Sequence, residues 1–400
     1  MGGLGQTRRL RLGIEMLSGS GWTGGAQYIR NLIYCLAALP EQEQPIVRLL
    51  GARPDDSSAR ELAALSLVQR KDAAAEASHV RHVWRLVQHH LLWARGNRQS
   101  EQEPSLDATY PGFGRALPGV AQIKWLPDLQ HVHLPHFFSA DELKSRTNNI
   151  AAFASRKGIL VLSSKAALAD FLEIHARPVV TPAVWSFCTI LTAHEEGGRN
   201  PHEAYGLPPK FAYLPNQFWA HKNHITVFKA LAELRQRGIA VPLVCTGLEE
   251  DRRNPDHFPR LMRFLADHRL DGQVRCLGLV PRNDQIEIFR HATLVVQPSL
   301  FEGWSTVVED TKAVGRPIIV SDLAVHKEQL ASYDAAWFYS RSNVEDLARV
   351  IERVWPQLRE GKDPAREQTA ALQTQKRCRD AAREFIAIAW RAKAIHDAGE

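Results

Sequence analysis

Glu302 and Asp310 are two carboxylates separated by seven residues, in the stretch Pro298-Ser299-Leu300-Phe301-Glu302-Gly303-Trp304-Ser305-Thr306-Val307-Val308-Glu309-Asp310. Glu302 follows the apolar run 293–297, at the carboxyl end of an expected strand, where open α/β sheets bind their ligands. Thr306-Val307-Val308-Glu309 fits a capping box, with the Thr306 hydroxyl and the Glu309 carboxylate satisfying first-turn amides. The amides left over, together with the helix dipole, favour an anion, and Asp310 is free to reach a ligand. Lys222 lies just before a second expected helix and adds a mobile positive charge. This set suits a ligand with hydroxyls at one end and phosphates in its middle. The competing reading is that both acids only complement the helix dipole and that Lys222 is a solvated surface residue.

Positioning these residues requires strands that end together. From Phe211 onward, strands are expected at 211–214, 241–246, 274–277, 293–297, 317–321 and 335–339. Helices lie between them, such as 225–237 with Phe228, Leu231 and Leu234 inward. That alternation predicts a parallel, doubly wound α/β sheet. Residues 365–398 have no strand pattern, and Cys378, Ala381, Phe385, Ala389 and Ala392 form a helical stripe. The segment 195–209, with Gly197, Gly198, Pro201, Gly206, Pro208 and Pro209, reads as a linker.

The first half opens with a strand over 10–17, a Gly-rich loop ending in Gly24-Gly25, and a helix from Ala26 with Ile29, Leu32, Ile33 and Leu36 on one face. A strand at 46–50 follows. Strand, Gly loop and helix can bind phosphate, but the spacing is not G-x-G-x-x-G, so a flexible connection stays open beside it. Residues 78–96 are basic and aromatic. They read either as an interfacial helix on anionic lipid or as an ordinary helix with a solvated basic face. Residues 96–119 read as a loop, and strands are expected at 158–162 and 179–185. After a strand, Lys124 to His136 carry Asp128, His131, His133 and His136 in a Pro-bounded stretch too short for a long helix.

The chain has 400 residues, 44% hydrophobic and 24% charged, which predicts a soluble globular protein of two or three domains. No apolar run approaches the roughly 18 residues of a membrane-spanning helix. The short apolar stretch 12–17, broken by Glu15, suits a first strand rather than a signal peptide. Five scattered cysteines without C-x-x-C spacing read as reduced core residues of a cytosolic protein, with no zinc site. A net charge of +6 favours acidic partners such as nucleotide phosphates or anionic headgroups. No nucleic-acid module signature is present.

Gly24-Gly25, the stretch Tyr213 to Asn223, the run from Gly278 to Gly303 and the block from Phe301 to Asp322 together resemble the retaining glycosyltransferases of family 4. The variant residues Pro215-Asn216-Gln217-Phe218-Trp219 and Phe301-Glu302-Gly303-Trp304-Ser305 look like a bacterial branch associated with surface polysaccharide or lipopolysaccharide assembly. The resemblance implies a GT-B fold. Two Rossmann-like, doubly wound domains (1–196 on the acceptor side, 210–364 on the nucleotide-sugar side) face a cleft, and a C-terminal helical segment, 365–400, packs back toward the first domain.

The family's acidic pair is Glu-x7-Glu, and its positions fall on Glu302 and Asp310. By the resemblance, Glu302 holds donor-sugar hydroxyls and Asp310, one methylene shorter than the family's glutamate, holds the ribose diol. Gly303, Trp304, Ser305 and Thr306 lie where backbone amides meet sugar and phosphate, and Gly24-Gly25 match the first-domain glycine loop. Lys222 matches the lysine of the diphosphate clamp, whereas the family's arginine is replaced by Asn216 or Gln217. Pro127-Asp128 stands where the family often has His-Asp, with His131 three residues on. Asp128 and His131 are therefore candidates to face the donor sugar. The implied reaction is hexosyl transfer with retention from a nucleotide-diphosphate sugar to a glycan or lipid-linked acceptor. With Lys222 and helix amides on the diphosphate, no metal or further cofactor is expected, and no Asp-x-Asp occurs. No carboxylate nucleophile for double displacement stands out, so front-face substitution is expected. The expected location is cytoplasmic, peripheral at the inner face of an anionic plasma membrane, with no nucleic-acid partner. Alternatives are an epimerase or phosphorylase of related architecture, and a non-catalytic partner subunit.

Overall fold

The computed structural model describes residues 8–17, 23–52, 56–69, 105–192 and 195–399. The basic stretch 78–96 lies outside the described residues. Contacts divide the chain into two compact units: Met1–Trp125 with Lys157–Ile159 and Ala382–Glu400, and Leu126–Arg156 with Leu160–Ala381.

The first unit carries β1 (Arg11–Glu15), β2 (Ile46–Leu50), β3 (Ala108–Tyr110) and β4 (Ala121–Leu126). β1 pairs in parallel with β2 and β3, and β3 pairs with β4. The sheet order is β2-β1-β3-β4-β5-β6, with β5 at Ile159–Leu162 and β6 at Thr181–Val184. β3 lies inside the stretch read as a loop. Three residues offer no periodicity to detect, and burial of Ala108, Thr109 and Tyr110 makes the strand. The first helix, Thr23–Ala37, begins ahead of Ala26, so Gly24 and Gly25 sit in its first turn and not in a loop before it. Ile29, Leu32, Ile33 and Leu36 are buried as their spacing requires. The last helix, Pro364–Asp397, contributes its residues from Ala382 onward to this unit: Phe385 meets Tyr110 edge-on at 4.9 Å, and Arg383 pairs with Glu43 at 2.8 Å.

The second unit contains β7 (Ala212–Leu214), β8 (Leu243–Cys245), β9 (Val274–Cys276), β10 (Leu294–Gln297), β11 (Ile318–Ser321) and β12 (Ala336–Tyr339). All are parallel, in the order β12-β11-β10-β7-β8-β9. Both faces are covered. Ala212, Leu214, Leu243, Leu294, Val296 and Ile319 point into one apolar cluster. Tyr213, Val244, Val295, Ile318 and Val320 point into the other. A period of two with both phases apolar is the pattern of a buried parallel sheet.

The segment read as a linker is ordered. It contains the helix Pro201–Tyr205, capped by Asn200 and closed by left-handed Gly206, and it anchors Arg199 on Asp284. Its Gly and Pro residues punctuate a short helix instead of marking free chain. No helix among the described residues is long and apolar enough to cross a membrane. Among the described residues no disulfide joins the five cysteines, four of which are buried.

Candidate active site

Counted within the second unit, the strand order is 3-2-1-4-5-6, and the order reverses between β7 and β10. Loops leaving two adjacent strands at such a switch point diverge and open a crevice at their carboxyl ends. The loop after β7 carries Asn216 and Lys222, and the loop after β10 carries Glu302 to Ser305. The two are fastened together: Leu300 N donates to His221 O at 2.8 Å, and Asn223 Nδ2 donates to Pro298 O at 3.1 Å.

Lys222 Nζ stands 2.6 Å from Glu302 Oε1, with both side chains mostly buried. The same oxygen accepts from Ser299 Oγ at 2.7 Å and Gln297 Nε2 at 2.8 Å. Oε2 has no hydrogen-bond partner among the described residues. Burial works against the charge on Glu302. The Lys222 ammonium, the neighbouring His326 and the Ser299 hydroxyl outweigh it and hold the carboxyl below its usual range. His221 is pushed down as well, to about 3, by burial and then by the Lys222 charge, so it is neutral.

Gln297, the polar last residue of an apolar strand, is the connector that spacing did not single out. Fully buried, it also faces Ser305 Oγ at 3.0 Å and accepts from Asn216 Nδ2 at 2.6 Å. Its only signal was a polar side chain where the pattern demanded an apolar one.

The capping expected of Thr306 and Glu309 is not what forms. Ser305 is the cap of helix Thr306–Val314, accepting from Val308 N, which puts Val308 where a capping box needs an acid. Glu309 is instead buried between Lys312 and Arg377, each at 2.9 Å. Nor are all the turn's amides free. Ser305 N donates to Gln329 Oε1 at 3.0 Å, and Gln329 Nε2 returns to Ser305 O at 3.1 Å. The amides of Gly303, Trp304, Thr306 and Val307 keep no partner among the described residues, while the Trp304 indole donates to Phe187 O.

Asp128 and His131 share this unit. A Cβ on Gly303 would stand 2.2 Å from Pro127 O and 3.1 Å from Asp128 Cβ, so the Glu302 turn touches the Pro127-Asp128 backbone directly. Asp128 Oδ1 accepts from Gln130 N and lies 3.5 Å from Arg146. Burial, then the Arg146 charge, push the His131 ring down against the pull of Asp128, and its Nδ1 is buried without a partner among the described residues. Gly24 and Gly25 belong to the other unit.

Asp310 is not free. Arg282 holds both its oxygens, at 2.7 and 2.8 Å, and also reaches Glu195 at 3.0 Å. The two acids, with seven residues between them, therefore serve separate clusters, one around Lys222 and one around Arg282.

Residues 199–369 match the family model of glycosyl transferases group 1. They include every residue of the two clusters except Glu195, and they leave out Asp128, His131, Gly24 and Gly25. The chain is 28% identical over 118 residues to the putative glycosyltransferase EpsF of Bacillus subtilis (strain 168), a match that covers 28% of this chain and 27% of that protein. The chain thus spans about a quarter of the length of that relative. Its backbone is similar to sucrose-phosphate synthase of Thermosynechococcus elongatus (TM-score 0.61, 15% identity, covering 97% of this chain and 98% of that one). It is likewise similar to HepE of Anabaena in complex with UDP and glucose (TM-score 0.57, 15% identity, 96% and 98% covered). The fold is that of GT-B glycosyltransferases.

Proposed function

We propose that this chain is a retaining glycosyltransferase of family 4 that moves a hexosyl group from a nucleoside-diphosphate sugar to a glycan or lipid-linked acceptor in surface polysaccharide assembly. The observation that carries the proposal is the Lys222–Glu302 pair at the switch point of a 3-2-1-4-5-6 sheet. Transfer with retention requires a nucleoside diphosphate to leave while positive charge grows on the sugar. Lys222 and the unpartnered amides of Gly303, Trp304, Thr306 and Val307 supply fixed donors to that leaving group. Glu302 turns one oxygen to Lys222, Gln297 and Ser299 and leaves the other for sugar hydroxyls. Asp128, beside Gly303, and His131, three residues on, face the sugar.

In this reading no metal is needed, because lysine and amides neutralise the diphosphate. The acceptor attacks from the face the diphosphate vacates, and a phosphate oxygen helps to take its proton. Asp310 meets the ribose through its Arg282 clamp. The enzyme works on the cytoplasmic side, peripheral to an anionic membrane.

A panel of UDP, GDP, ADP and dTDP with their common sugars tests the proposal by thermal shift and by acceptor-free hydrolysis. One donor is expected to stabilise the protein and to be hydrolysed slowly with retention of configuration, with both effects lost in Lys222→Ala and Glu302→Ala. Equal hydrolysis by wild type and both variants would sink it. A trapped glycosyl adduct on Asp128 or Glu302 would overturn front-face substitution.

A further inference from the structure

The geometry points to Asn216 and Gln297 as a pair of positioning residues that fix which oxygen of Glu302 faces the protein and which faces the ligand. This rests on the proposed role of Glu302. A carboxylate can only accept, so Gln297 must turn its NH2 end toward Glu302 Oε1, 2.8 Å away. Its carbonyl oxygen then faces Asn216, which must in turn present its own NH2 end, 2.6 Å away. Both amides are buried, Gln297 completely and Asn216 to 4% exposure, so water cannot substitute for either partner.

The Gln297 nitrogen has two hydrogens and three acceptors in range: Glu302 Oε1, Ser305 Oγ and, farthest at 3.2 Å, Ser299 Oγ. The two hydrogens go to the two nearer acceptors, Glu302 and Ser305, while Ser299 gives its own hydrogen to Glu302. Asn216 itself is pinned from behind. Gly247, at φ +147°, comes so close that a Cβ there would lie 2.2 Å from Asn216 O. Asn216 is thus no neutral stand-in for a phosphate-binding cation. It is the end of a relay that keeps three donors on Oε1 and leaves Oε2 open.

Asn216→Asp reverses the relay at constant shape. An acceptor-only side chain makes Gln297 turn over and present its carbonyl oxygen to Glu302 Oε1. The test is a titration of the Glu302 carboxyl by carbon NMR in the free protein, its resonance identified by loss in Glu302→Gln. Asn216→Asp is expected to raise the midpoint by about one pH unit or more, while UDP alone binds within about twofold of wild type. An unmoved midpoint overturns the inference. So does a tenfold loss of UDP affinity with an unmoved midpoint, which would make Asn216 a phosphate ligand.

Should Asn216→Asp fold poorly, thermal unfolding of Asn216→Asp, Glu302→Gln and the double variant supplies a second measure. The amide introduced by Glu302→Gln could donate to the reversed Gln297, so the double variant is expected to be more stable than the sum of the single effects predicts, and strict additivity overturns the relay. Neither measurement uses turnover. A failed relay is therefore told apart from a failed assignment of activity.

Discussion

Replacing Lys222 by methionine keeps the stem and deletes the ammonium that stands 2.6 Å from Glu302 Oε1. At an effective dielectric of about 20 the direct attraction at that distance is about 6 kcal/mol. Part of it only offsets the cost of holding both charges out of water, and breaking a buried pair costs about 3–5 kcal/mol net. Protonation caps the part of the loss that comes from the stranded carboxylate. Without the lysine, burial outweighs the donors Gln297 and Ser299, and the Glu302 pKa rises above the roughly 4.3 of an unfolded glutamate. Taking up a proton at pH 7 then costs the folded state at most about 3.7 kcal/mol, at 1.36 kcal/mol per pH unit. Wild type has the opposite sign: its depressed Glu302 stabilises the fold above about pH 4.3 and loses that contribution as pH falls through the lower folded value. The expected deficit of Lys222→Met is therefore about 3–4 kcal/mol at pH 7 and less than half that at pH 4.5, read from urea midpoints. Adding Glu302→Gln should recover part of it at pH 7. In the proposed reaction, kcat should also fall about 10²–10³-fold, as for other fixed donors to a developing anion. A deficit below about 1 kcal/mol, equal at both pH values, would refute the reasoning, because the pair would then be screened by water and unable to hold Glu302 or a leaving group.

Gly303→Ala should lose about 1–3 kcal/mol in thermal unfolding and most donor turnover, because its Cβ would stand 2.2 Å from Pro127 O and the Glu302 turn must move. A fully active, wild-type-stable Gly303→Ala would show that the turn does not need this approach. His224 is fully buried and stacked on Phe218 at 4.3 Å, and burial pushes its pKa to about 3. Its neutral form stabilises the fold fully above the unfolded value near 6.5, and the contribution is lost as pH falls toward the folded value, about 2 kcal/mol by pH 5. His224→Phe should therefore gain on wild type by about that amount between pH 7 and pH 5 in urea unfolding, and a gap constant with pH would contradict it.

How much was legible follows from where each signal resides. Phase-two apolar runs such as Leu294-Val295-Val296 and Ile318-Ile319-Val320 are covered on both faces, so their strands fell within a residue or two of the pattern. β3 was not legible, since three residues carry no period and its place is decided by β1 and β4 on either side. Lys222 and Glu302 could be named because each sits at a loop–helix junction with a chemical reason to be charged, but the bond between them depends on β7 lying beside β10. Local spacing does not encode that adjacency. The cap moved from Thr306 to Ser305 for a similar reason: the pattern S/T-x-x-E is local, whereas Glu309 is claimed by Arg377 from a helix 68 residues away.

The two clusters also differ in what they offer a ligand, and in the proposed reading the difference gives the crevice a direction. Around Lys222, one ammonium faces one carboxylate, and the neighbouring amides without partners add partial positive charge. Around Arg282, one guanidinium holds both oxygens of the buried Asp310 and also reaches Glu195. The Asp310 carboxylate can only accept, so a hydroxyl pair that donates hydrogen bonds suits it better than a phosphate. A ligand with a diphosphate in its middle and a diol beyond it therefore has one favourable orientation in the proposed reading, with phosphates toward Lys222 and diol toward Asp310. The shorter side chain of Asp310 fits that role: Arg282, itself tied to Glu195 and Gln285, holds both carboxylate oxygens and sets their direction. Reach matters less for an acceptor whose position is fixed by a fork of donors than for one that must find its ligand unaided.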